Sequence, residues 1–157
     1  MIDHVFSVVC NNLSIDKDTN TVSIFNVMES VIAFTETIDP IILPLSFEIL
    51  SYWVSRDENT PCKGKMQAHY CDPDNVCIKL AELDINISEG LFHRTIIKSS
   101  GLQVKGPGRY KLQIRLQQEG SESWETVATL PIIVRYELPP NREAPSGQPP
   151  LLVSKTE

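Results

Sequence analysis

The sequence predicts an all-β domain, a two-sheet antiparallel sandwich of immunoglobulin-like type with about eight strands. Three observations carry this expectation. Helical periodicity is scarce along the 157 residues. Apolar residues instead alternate in short stretches, set apart by turn residues at intervals of roughly eight to fifteen. The chain also closes on a hairpin: a Gly106-Pro107-Gly108 turn, the alternating run Arg109 to Leu116, a short polar loop and a second apolar strand from Val127 to Val134. That alternation puts Tyr110, Leu112, Ile114 and Leu116 on one face and Arg109, Lys111 and Arg115 on the other.

Taken in order, the pattern predicts strands over His4 to Cys10, Thr21 to Met28, Leu45 to Val54 and Lys65 to Cys71. Further strands are expected over Cys77 to Ile87, His93 to Ile97, Arg109 to Gln117 and Thr126 to Tyr136. The punctuation between them has a mechanism. Asp16 to Asn20 joins the first pair, Asp39-Pro40 and Pro44 bracket an extended approach to the third strand, and Asp72-Pro73-Asp74-Asn75 makes a tight hairpin. Two strands break alternation. In Ile78 to Ile87 the apolar face changes parity near Ala81, which predicts a bulge. Pro131 removes a ladder donor from the last strand, which predicts an edge strand or a bulge there. Gly108 and Tyr110 stand where a tyrosine-corner turn leads into a penultimate sandwich strand.

Length and composition suit one domain, residues 1–137, followed by a proline-rich flexible tail, residues 138–157. A domain of roughly 140 residues buries about two-thirds of its unfolded surface and needs no staple. Five prolines between Pro139 and Pro150 lie among Ser, Gly, Gln and Asn, with Leu151-Leu152-Val153 as a conceivable docking anchor. Neither a signal-peptide pattern nor a membrane-length apolar run is present, so a cytoplasmic, membrane-free protein is expected. Charge is uneven. Residues 1–50 hold seven acids against one base, Lys17, and so carry the whole net charge of −6. Residues 90–118 hold six bases (Arg94, Lys98, Lys105, Arg109, Lys111, Arg115) and no acid. Such a bipolar surface can steer a partner or a second copy of the chain.

Candidate chemistry is thin. Cys62, His69, Cys71 and Cys77 are of zinc-ligating type, but their spacing spreads them along a hairpin instead of pairing them on knuckle turns. Reduced thiols are therefore expected in preference to a zinc site or a Cys71–Cys77 bridge. The Asp72 to Asn75 loop supplies too few oxygens for calcium and reads as a turn. No nucleophile elbow, phosphate loop or dinucleotide glycine pattern occurs, and Glu82 and Asp84 read as alternate positions on a solvent-facing strand. A catalytic set, a metal and a cofactor are all unexpected. The basic face lacks aromatic stacking partners, which argues against nucleic acid.

Several of these segments together resemble a known family. The opening Val9 to Asp16, the hairpin mate Val22 to Val27 followed by Glu29, the Asp-Pro-Asp-Asn turn and the Pro107-Gly108-Arg109-Tyr110 corner look like an uncharacterised family of bacterial all-β proteins, a domain of unknown function. The resemblance spans residues 4–136. It implies an immunoglobulin-like sandwich and brings no catalytic residues. Asn75 replaces the glycine usual in the aspartate turn, and asparagine also tolerates the left-handed conformation. The function expected is a non-enzymatic protein-interaction or self-association module, with Arg109, Lys111 and Arg115 as partner-binding residues. The alternative is a small-molecule or carbohydrate-binding sandwich with Tyr52, Trp53 or Trp124 as platform, although core packing is the ordinary role of such tryptophans.

Overall fold

The alternating segments form long strands whose apolar faces meet. The computed structural model describes residues 1–37, 39–57, 60–88 and 92–139. Among them are nine strands and no helix: β1 (Ile2–Ile15), β2 (Val22–Val27), β3 (Ser30–Phe34), β4 (Ile41–Ser55), β5 (Cys62–Cys71), β6 (Cys77–Ile87), β7 (Phe92–Val104), β8 (Gly108–Gln118) and β9 (Glu125–Glu137). One sheet has the order β2-β1-β4-β7 and the other β3-β9-β8-β5-β6. Phe47, Ile49 and Trp53 from the first and Met66, Leu112, Ile114 and Ile132 from the second share one core. Each of these is all but inaccessible to solvent. The all-β sandwich is therefore as expected; residues 140–157, including Leu151 to Val153, lie outside the described part.

The departures have local causes. β3 is an unexpected ninth strand, because Val31-Ile32-Ala33-Phe34 is continuously apolar and follows β2 without turn residues. The chain crosses between sheets at Met28-Glu29, so β3 runs parallel to β9 and the second sheet is not purely antiparallel. β4 and β7 extend beyond Leu45 and Ile97 because a bulge absorbs their breakers. Leu43 pairs with Leu102 and Ser46 with Ser100, leaving Pro44 and Leu45 opposite Gly101 alone, whose φ of 102° only glycine adopts freely. Cys10, read as a strand end, sits fully buried within β1.

Other details follow the expectation. The bulge in β6 leaves Leu80 as the extra residue between Ala68–Ala81 and His69–Lys79. Pro131 is more subtle. β9 lies between β8 and β3, so it is not an edge strand, but β3 pairs only from Ile133 onward. Ile133 donates its N–H to Glu29, so the nitrogen two residues earlier faces the same way, past the end of β3. Proline thus occupies a locally free stretch of β9. In the tyrosine corner, the Tyr110 hydroxyl accepts from the Lys105 N–H at 2.8 Å and donates to the Gly106 carbonyl at 2.9 Å.

The first hairpin does not simply extend the first sheet. Arg94 of β7 donates to the backbone and side-chain oxygens of Asn20, at 3.1 and 2.6 Å, so the β1–β2 tip reaches across the sheet's outer face. Cys10 and Leu50, which point to that outer face, are correspondingly inaccessible. Burial, together with the nearby Glu48 carboxylate, pushes the Cys10 thiol pKa up.

Candidate functional site

Register decides which charges share the outer face of the second sheet. β8 presents Arg109, Lys111, Gln113, Arg115 and Gln117 outward, because Tyr110, Leu112, Ile114 and Leu116 are buried inward. β5 lies antiparallel beside it with Lys111 opposite Cys71, Gln113 opposite His69, Arg115 opposite Gln67 and Gln117 opposite Lys65. Beyond β5, Lys79, Glu82 and Asp84 of β6 pair with His69, Gln67 and Lys65. On the other side, β9 adds Thr129, Pro131, Ile133 and Arg135. Seven cations (Lys63, Lys65, Lys79, Arg109, Lys111, Arg115, Arg135) therefore share one face with four acids: Glu82, Asp84 and Glu137 on the strands, and Glu119, which follows β8 and donates its N–H to the Lys63 carbonyl. This is a cationic face on a chain of net charge −6.

Its centre is a polar row. His69 Nε2 lies 2.9 Å from Gln67 Oε1, and Gln67 Nε2 donates to Glu82 Oε2 at 2.8 Å. Lys79 Nζ reaches the same Glu82 oxygen at 3.1 Å. Hydrogen bonding from Gln67 and then Lys79 holds the Glu82 pKa below the usual carboxylate range. Partial burial, followed by the charges of Arg115 and Lys79, pushes the His69 pKa down. The charges of Arg115 and Lys79 thus add to burial in disfavouring the His69 imidazolium.

The three residues singled out from sequence are not equivalent. Arg115 stands at the centre, opposite Gln67. Lys111 donates to Asn75 Oδ1 at 2.8 Å, tying β8 to the β5–β6 turn. Arg109 is exposed beside Ile133, where Ile32, Phe34 and Ile133 form an exposed apolar corner. The remaining bases of the 90–118 stretch lie elsewhere: Arg94 and Lys98 are on the first sheet, and Lys105 bonds Asp72 at 2.6 Å. Lys63, Lys65, Lys79 and Arg135 join the face only through pairing, so no local signal in the sequence marks them.

Three of the seven acids of the first third are engaged in separate local contacts. Asp3 pairs with Arg56 at 2.6 Å, Glu48 with Lys98 at 2.9 Å, and Asp16 accepts backbone bonds from Asp18 and Thr19 in its own turn. Of the bipolar pattern in sequence, the basic part contributes to one cationic face, while Asp3, Asp16 and Glu48 stand apart in their own contacts.

Two other expectations change. Cys71 and Cys77 form a disulfide across the β5–β6 hairpin, with Cα atoms 4.0 Å apart, where reduced thiols were expected. They are directly opposed at the hairpin mouth, and that proximity outweighs the argument from compartment. Asp72 closes the turn by accepting from the Asp74 and Val76 N–H groups, and Asn75 takes a φ of 63°. Trp53 is fully buried and donates to Thr95 at 3.0 Å, so it packs the core. Tyr52 has Phe6 stacked on one side at 5.6 Å and Phe92 at 4.8 Å, with Arg94 over the Phe92 ring. Rings stacked strand to strand stand on edge, so Tyr52 offers no open face to a sugar.

No family model matches the chain, and no curated protein matches it. Among solved structures the chain is similar to a family 123 glycoside hydrolase from Clostridium perfringens, described for glycolipid glycan hydrolysis. The identity is 10% and the TM-score 0.40, over 88% of this chain and 28% of the hydrolase chain. The chain thus spans 28% of that hydrolase's length, and a likeness so distant says nothing of activity.

Proposed function

We propose that the protein is a binding module that recognises an acidic segment of another protein through the outer face of its second sheet. The observation that carries this is the gathering of seven cations against four acids around Arg115 and His69, on a chain that is acidic overall. The adjoining apolar corner of Ile32, Phe34 and Ile133 supplies the hydrophobic anchorage that a protein partner uses. Nucleic acid would instead call for aromatic platforms among the cations, and the outward positions of β5 and β8 hold glutamines and a histidine. A second copy of the chain is a poorer fit to the extent that Asp3, Asp16 and Glu48 of its acidic first third are already engaged locally. The expected binding is steered by charge and weakened by salt.

Titrating a synthetic Glu/Leu-rich peptide into labelled protein tests this. Resonance shifts are expected at β5, β8 and β9, with the His69 pKa rising as the peptide's carboxylates offset Arg115 and Lys79. Shifts scattered over other surfaces, or binding unchanged in the Lys111→Glu, Arg115→Glu double variant, would refute the proposal. Light scattering at low and high salt separately tests self-association.

A further inference from the structure

Half of one flank of the sandwich lacks a covering strand. β2 pairs with β1 only from Cys10 onward, and β3 pairs with β9 only from Ile133 onward. Between them the chain crosses from sheet to sheet, Met28 donating its N–H to the Val9 carbonyl and Glu29 accepting from the Ile133 N–H. Beyond that crossing, residues 125–131 of β9 have β8 on one side and no strand among the described residues on the other. Two recesses follow this open stretch. One, of about 370 Å³, has Ser7, Val8 and Val27 on one wall and Leu130, Pro131 and Ile133 on the other. The second, of about 380 Å³, continues between residues 2–4 and 125–127.

The two walls differ in what they offer. On β1 the Gln118 side chain already accepts from the Ile2 N–H at 2.9 Å and donates to its carbonyl at 2.7 Å, so that edge is closed at its start. On β9 the Ile133 N–H faces the flank. By the period of two, the Pro131 carbonyl and both backbone groups of Thr129 face it as well. The apolar lining is open to solvent, with Val27, Pro131 and Ile133 exposed and Val8 and Leu130 half-buried.

Alternation selects the occupant. A strand laid beside β9 turns every second residue inward, level with Ala128 and Leu130 and into the recess, where apolar side chains suit the lining. Its other residues face outward beside Thr129 and Pro131, whose partners across β8 are Gln113 and Lys111. Two strand spacings put such a residue roughly 10 Å from the Lys111 backbone, a gap that long side chains of opposite charge span. Arg109 lines the first recess, and Arg115 stands opposite Thr126. The acids of the flank are Glu29 and Glu125 at its two ends and Asp3, which is paired with Arg56. From Glu125 to Pro131 the open stretch runs about 20 Å, room for a guest of about six residues.

We propose that the partner's acidic segment binds as an added strand on β9, with acidic and apolar residues in strict alternation. This rests on the function proposed above and gives its partner a sequence pattern.

The probes are two peptides of about seven residues and one composition, the first alternating Leu and Glu, the second with the same residues in two blocks. Each is titrated into labelled protein while hydrogen exchange of the Thr129 amide is followed by NMR. The alternating peptide is expected to bind about tenfold or more tightly than the block peptide and to slow exchange at Thr129. N-methylation then separates strand addition from simple charge attraction, because only one edge of the guest meets β9. Methylating either the Glu or the Leu amides should abolish binding while the other set leaves it intact; loss with the Glu set supports an antiparallel guest, and loss with the Leu set a parallel one. Equal affinity for the two peptides, equal effects of the two methylations, or an unprotected Thr129 amide in the bound state would each overturn strand addition while leaving the cationic face as a binding surface. Absence of binding by both peptides would overturn that reading together with this one.

Discussion

Tyr110 and Tyr70 stack at 5.3 Å, and the same one-atom deletion should affect them oppositely. The Tyr110 hydroxyl serves two backbone groups, the Lys105 N–H and the Gly106 carbonyl, from a side chain that is 1% exposed. Tyr110→Phe removes both bonds and leaves a donor and an acceptor in the β7–β8 connection to find other partners. At about 1 kcal/mol per bond the loss is about 2 kcal/mol, rising toward 3 if the freed groups stay dry. For a domain of this size that lowers Tm by roughly 4–8 °C. The Tyr70 hydroxyl is buried without a partner among the described residues, and burial pushes its pKa well above the ordinary phenol value. Tyr70→Phe therefore removes an unmet demand and should be neutral or stabilising by up to about 1 kcal/mol. Urea unfolding of both variants at neutral pH, with m unchanged, measures the difference. A Tyr110→Phe cost below about 0.5 kcal/mol, or equal costs for the two variants, would refute the corner as a stabilising device.

Three further outcomes are expected. A Cβ on Gly64 would stand 2.7 Å from the Gln117 carbonyl oxygen and 2.8 Å from Ile2 Cδ1, so Gly64→Ala should cost about 1–3 kcal/mol in the same assay; a neutral result would contradict the packing of β5 on β8. Air-oxidised protein, unfolded and titrated for thiols, should show Cys10 and Cys62 alone, and reduction should expose all four cysteines and lower stability by about 2 kcal/mol; four thiols without reductant would contradict the bridge. Stability should fall with acid in two stages. Burial holds the His4 and His69 pKa values below that of free histidine, so the unfolded chain binds more protons and stability drops as pH falls below about 6.5. Hydrogen bonds from Arg56, Lys105 and Gln67 hold Asp3, Asp72 and Glu82 low, so a second loss begins near pH 4 and deepens as pH falls through their folded values. A flat stability profile between neutrality and about pH 5 would rule out the first stage.

What could be read from sequence was whatever depends on neighbours along the chain. Alternation in Arg109 to Leu116 placed Tyr110 inside and Arg115 outside, and the parity change near Ala81 marked a bulge, because a strand's period of two is a local property. The turns at Asp16 and Asp72 were legible because their side chains bond their own backbone. Pro44 misled for the same reason. It is a breaker locally, and only its place in a bulge opposite Gly101 keeps β4 and β7 continuous. Cys71 and Cys77 were recognisable as possible neighbours, yet their bonding depended on register at the hairpin mouth.

Tertiary structure alone decided which charges act together. Lys65, Lys79 and Arg135 belong with Arg115 through strand order, while Arg94 and Lys98, nearer to it in sequence than Lys65, lie on the other sheet. Glu48 likewise reads as one more strand acid until β1 and β7 close on it and leave one oxygen buried without a donor among the described residues. Strand formation is set by short-range sterics and the hydrophobic period, whereas a surface's potential and a buried carboxylate's unmet bond arise from segments brought together only when the two sheets form.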